Sequence, residues 1–90
     1  MSQSKQEIKD LFIQELKNTQ EYQIVLAIKQ VILNEIATPN ILPQVIYNFD
    51  TPQTDESLNI IKLCIIIEFG FDTNNISNNT VIINMKDFLV

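Results

Sequence analysis

Apolar residues recur at helical spacing from the start of the chain. Ser4-Lys5-Gln6-Glu7 has the form of a capping box, with Ser accepting from the third amide and Glu reaching back. Ile8, Leu11, Phe12 and Leu16 then share one face, and Lys5, Lys9, Asp10, Glu15 and Lys17 take the rest. This spacing predicts a helix over Lys5–Asn18. Thr19 is placed to cap a second helix, with Glu21 in the first turn where the helix dipole favours an acid. Tyr22, Val25, Ile28, Ile32 and Ile36 form its stripe, which Ile24 and Val31 widen. A stripe that broad predicts a helix covered on more than one side. Pro39 stops it, because the residue before a proline avoids helical dihedrals, and the predicted span is Gln20–Ile36.

The second half of the chain is more ambiguous. Asn40 can cap a short helix bearing Ile41, Leu42, Val45, Ile46 and Phe49, with Pro43 in a first turn that does not need its missing N–H. Asp50-Thr51-Pro52-Gln53-Thr54 reads as a turn. Leu58–Phe69 is the most hydrophobic stretch and fits two periods. As a helix it has Thr54 or Asp55 as cap, Glu56 in the first turn and Gly70 as a left-handed stop, with Phe71 making the contact that follows such stops. As a strand, Ile61, Leu63, Ile65, Ile67, Phe69 and Phe71 alternate onto one face. The presence of both caps favours the helix. After an Asn-rich loop over residues 72–79, Val81, Ile82, Met85, Phe88 and Leu89 follow helical spacing again. The expected fold class is all-α, a compact bundle of about four to five short helices. The alternative is α+β, with N-terminal helices and a C-terminal β-hairpin built from the two late elements.

Composition narrows the chemistry more than the fold. Ninety residues make one domain, 1–90, and 46% of them are hydrophobic, enough to stock a single core. The net charge is −5, from eleven acids and six bases, and histidine is absent. All six bases are lysine, so the chain lacks the planar fork of arginine that grips phosphate and carboxylate. An acidic chain without arginine is not expected to bind nucleic acid. The polar first residues, Met1-Ser2-Gln3, and apolar runs shorter than a membrane span imply no signal peptide and no membrane partner. A single cysteine, Cys64, lies in an apolar run and reads as a buried structural thiol. These features lead to the expectation of a cytoplasmic protein.

No constellation for catalysis emerges. General bases, thiol nucleophiles and most metal sites want a histidine, and none is present. Asp55 and Glu56 are paired acids at a helix start, where the dipole explains them without acid–base work. Asp72, Asn74, Asn75 and Asn78 lack the central Gly and terminal Glu of a calcium loop. The expectation is therefore a protein that is not an enzyme and takes no cofactor or metal.

One segment suggests a binding surface instead. Residues 30–61 hold no basic residue but carry Glu35, Asp50, Asp55 and Glu56, with Tyr47 as a ring that could fill a partner's pocket. An acidic surface steers toward a basic protein. The leading expectation is a small interaction module of that kind, such as an inhibitor, immunity protein or adaptor, contacting its partner through Glu35, Tyr47, Asp50, Asp55 and Glu56. The second is a structural subunit that self-associates, as a homodimer for instance, or packs in a larger assembly through residues 58–69.

Residues Ile65 to Asp72 resemble the end of an ankyrin repeat's outer helix and the start of its loop. The pattern departs at Phe71, where a small residue belongs, and no inner-helix motif precedes it, so no family is assigned.

Overall fold

The computed structural model describes residues 4–73 and 75–88. The element order is α1 (Lys5–Lys17), α2 (Gln20–Ile36), β1 (Gln44–Asn48), α3 (Asp55–Phe69) and β2 (Thr80–Asn84), with a 3-10 turn over Met85–Asp87. The fold is thus α+β, not the expected all-α bundle, and among the described residues it has three α-helices and one two-stranded antiparallel sheet.

The helices form where local signals are complete. Ser4, Thr19 and Thr54 cap α1, α2 and α3, each hydroxyl accepting from the third amide on. Gly70 ends α3 at φ +80°, the left-handed conformation in which an L side chain is strained, and its N–H bonds the Ile66 carbonyl at 2.8 Å. A Cβ at Gly70 would meet nothing within 4 Å, so strain alone sets the effect of filling it. Gly70→Ala is expected to lower stability by about 1 kcal/mol, read as an earlier urea midpoint with an unchanged slope. Behind that stop Phe69 stacks on Phe71, with centroids 5.9 Å apart, and Phe88 meets both rings edge-on at 5.0 and 5.2 Å.

Two predicted helices are strands instead. Residues 44–48 alternate Val45 and Tyr47 inward with Gln44, Ile46 and Asn48 outward. Val81, Ile83 and then Met85 likewise turn inward. The α+β alternative has the right class but not its hairpin: residues 58–69 are helical, and β2 pairs with β1, in register from Gln44 opposite Asn84 to Asn48 opposite Thr80. Of the residues in the earlier expectations, Met1, Ser2, Gln3, Asn74 and Leu89 lie outside the described residues.

The core lies between the helix pair and the inner face of the sheet. Val25, Ile28 and Ile32 of α2, Ile61, Cys64 and Ile65 of α3, and Val81, Ile83 and Met85 are sealed from solvent. Helix α2 packs on α3, β1 and α1, which accounts for its wide apolar stripe. Helix α1 joins this core only through Leu16, while Ile8, Leu11 and Phe12 stay about half exposed. No helix among the described residues is long and apolar enough to cross a membrane.

Candidate functional site

A cleft of about 240 Å³ opens where the end of β1 meets the first turns of α2 and α3. Gln20, Glu21 and Ile24 line it from α2, Tyr47 from β1, Phe49, Asp50, Thr51 and Gln53 from the connection that follows, and Ser57 from α3. Tyr47 and Phe49 meet edge-on, with centroids 5.9 Å apart. Phe49 is anchored from behind, where its N–H bonds the Asn79 carbonyl at 2.9 Å and its side chain enters the core. The connection is held in shape by Gln53, whose N–H bonds the Asn78 carbonyl at 2.8 Å and whose carbonyl accepts from the Asn78 amide.

The lining carries Glu21 and Asp50 and no lysine. Asp55 and Glu56 occupy the first turn of α3, within two residues of Ser57. Each helix N-terminus contributes roughly half a positive charge, too little to offset the two carboxylates of the lining. The cleft lining is therefore net acidic.

Of the residues expected at a binding surface, the fold brings Tyr47 and Asp50 into this cleft, whereas Asp55 and Glu56, in the first turn of α3, do not line it. Glu35 is elsewhere: its carboxylate accepts from the Leu42 N–H at 2.8 Å and closes the turn between α2 and β1. Glu21 lies outside the expected set, because in the sequence its position in a first turn is explained by the helix dipole alone. Only the packing of α2 against β1 brings it into the same cleft as Asp50.

Two further groups bear on chemistry. The Tyr22 hydroxyl donates to Glu68 Oε2, and Lys29 Nζ donates to Glu68 Oε1 at 2.8 Å, so one carboxylate ties α2 to α3. Burial, reinforced by the neighbouring Glu68 carboxylate, pushes the Tyr22 phenol up to about 12. The Lys29 ammonium, followed by the Tyr22 hydroxyl, holds the Glu68 carboxyl below its ordinary value. Cys64 is unpaired and sealed in the core, where burial raises its thiol pKa and disfavours the reactive thiolate.

Compared with family models, with curated proteins and with solved structures, the chain shows no match.

Ligands the size of a drug or cofactor occupy pockets of about 300–1,000 Å³. At about 240 Å³ the cleft matches a single long side chain more closely. Among the described residues, no three His, Cys, Asp or Glu side chains gather closely enough to hold a metal ion.

Proposed function

We propose that this chain is a protein-interaction module whose acidic cleft receives a basic side chain of another protein, in the manner of a small inhibitor, immunity protein or adaptor. It acts by binding rather than catalysis. The observation that supports this most is the convergence of Glu21 and Asp50 with two aromatic rings in one cleft that no cation lines. A lysine or arginine entering it meets two carboxylates, with Tyr47 and Phe49 at hand for a cation–π contact worth about 0.5–2 kcal/mol. Asp55 and Glu56, exposed in the first turn of α3, add to the field that draws a basic segment in. A reducing cytoplasm suits the lone unpaired Cys64 and belongs to the same reading.

The test is calorimetric titration of an arginine-rich peptide at low and physiological salt. The protein is expected to bind it, more weakly as salt rises. Asp50→Lys combined with Asp55→Asn and Glu56→Gln is expected to weaken binding about tenfold or more. All three side chains are exposed, so the helical dichroism should persist. Unchanged affinity in that variant would sink the proposal.

A second reading, self-association or packing in a larger assembly, draws support from exposed apolar side chains. Leu63 and Ile66 face solvent from α3, each 41% exposed, and Ile8, Leu11 and Phe12 do so from α1.

A further inference from the structure

The two long edges of the sheet are treated differently. In an antiparallel pair the backbone groups of alternate residues point toward the partner strand, and those between point away. Here Phe49 N–H bonds the Asn79 carbonyl, and Met85 N–H bonds the Pro43 carbonyl. With the register given, Val45 and Tyr47 therefore bond β2, while Gln44, Ile46 and Asn48 turn their N–H and C=O groups outward. The same parity turns Thr80 and Ile82 of β2 to its own outer side.

That outer side of β2 is covered. Ile82 N–H bonds the Asn75 carbonyl and Ser77 N–H bonds the Thr80 carbonyl, both at 2.8 Å. The Ser77 hydroxyl accepts from Thr80 N–H, and the Thr73 hydroxyl donates to the Ile82 carbonyl. The outer side of β1 has no such cover. Glu35 takes the Leu42 N–H just before the strand, and no hydrogen bond reaches the outward groups of Gln44, Ile46 or Asn48 among the described residues. Ile46 is 59% exposed at the middle of this edge. Natural edges are guarded by lysine, proline or a bulge, and residues 44–48 contain none of these.

We infer that the open edge of β1 pairs antiparallel with β1 of a second copy, giving one continuous four-stranded sheet across a twofold axis at Ile46. Three observations select this occupant. First, the pairing is self-complementary. Centred on Ile46, it sets Ile46 against its own symmetry mate, and Gln44 against Asn48 of the other copy. A Gln–Asn pair of that kind already exists inside the sheet, where the Gln44 amide donates to Asn84 at 3.1 Å. The backbone contributes three reciprocal pairs, on the order of six hydrogen bonds.

Second, the charges permit it. Each copy carries −5, yet residues 36–49 and 73–85, which hold both strands, contain no charged residue. The sheet is where two acidic chains approach with least repulsion. Third, the assembly closes. Each outer edge of the combined sheet is a β2 already covered by its own Thr73, Asn75 and Ser77, so pairing stops at two copies instead of growing into a filament. The acidic cleft uses the inner side chains of β1 and the connection after it, so it stays open in both copies.

Sedimentation or light scattering of the intact chain over a dilution series, up to about 1 mM, tests this. The wild type is expected to be dimeric at high concentration and to dissociate on dilution. Ile46→Lys places two ammonium groups together on the axis and is expected to weaken dimerisation about tenfold or more, with unchanged dichroism. Phe12→Lys, on the exposed face of α1, is expected to leave the dimer intact. Amide exchange supplies a reading without substitution. Raising the concentration should slow exchange at Ile46 and leave Val45, already bonded inside the sheet, unchanged. A wild type monomeric throughout, a dimer untouched by Ile46→Lys, or one dispersed by Phe12→Lys alone overturns the proposal, as does concentration-independent exchange at Ile46.

Discussion

Ile61→Ala is expected to destabilise the chain by about 2–5 kcal/mol, as buried isoleucine truncations do when the surroundings cannot collapse onto the void. Ile61 has no exposed surface and lies in the cluster that joins α2, α3 and both strands. Its side chain leaves behind both lost transfer energy and a cavity. Domains of this size hold about 5–15 kcal/mol in all, so the variant forfeits between about an eighth of its margin and the whole of it. Ile66→Ala is the matched control. It sits on the same helix with 41% of its surface exposed, and its cost is expected to stay below about 1 kcal/mol. Urea titrations followed by far-ultraviolet dichroism separate the two. Equal losses would mean that α3 does not present these faces as described.

Glu68→Ala is expected to cost about 2 kcal/mol near neutral pH, because one carboxylate serves two donors. Tyr22 is nearly sealed and loses the acceptor for its hydroxyl. Lys29 is partly solvated and is replaced more cheaply by water. The pH dependence has a definite sign on each side. The Glu68 carboxyl is held below its ordinary value, so its contribution is complete above the usual carboxylate range and is lost as pH falls through its folded-state pKa. The Tyr22 phenol is raised to about 12, so its contribution is complete below about 10 and is lost as pH rises toward 12. Melting temperatures measured across pH should therefore fall at both extremes for the wild type, and Glu68→Ala should flatten both flanks. Parallel profiles for the two proteins would assign the pH dependence to other groups.

The three helices were readable because their signals are local. Thr19 and Thr54 stand directly before the turns they cap, and Gly70 directly after the turn it stops. The strands were not readable, for two physical reasons. Ile46 and Ile82 are apolar on the outer face, so neither strand shows clean alternation, and Val45, Ile46 and Phe49 imitate a helical stripe. Their hydrogen-bond partners are also remote in the chain, and pairing leaves no mark in a local window. The same distance hid the cleft. Tyr47 and Asp50 are neighbours in sequence and were found together, whereas Glu21 reaches them only once α2 lies against β1. Glu35 carried the right charge but is taken up by the Leu42 amide.

The pairing of Gln44 with Asn84 also orders events in time. Forty residues separate the two, and the whole of α3 lies between them. Closing so long a loop costs entropy before any contact returns it, so strand pairing is expected late, after α2 and α3 have packed together. During synthesis β1 emerges with both edges bare and waits for β2 to be made. An uncharged strand in that interval is open to capture by another nascent copy, and the speed with which residues 80–84 arrive and dock sets how long that hazard lasts.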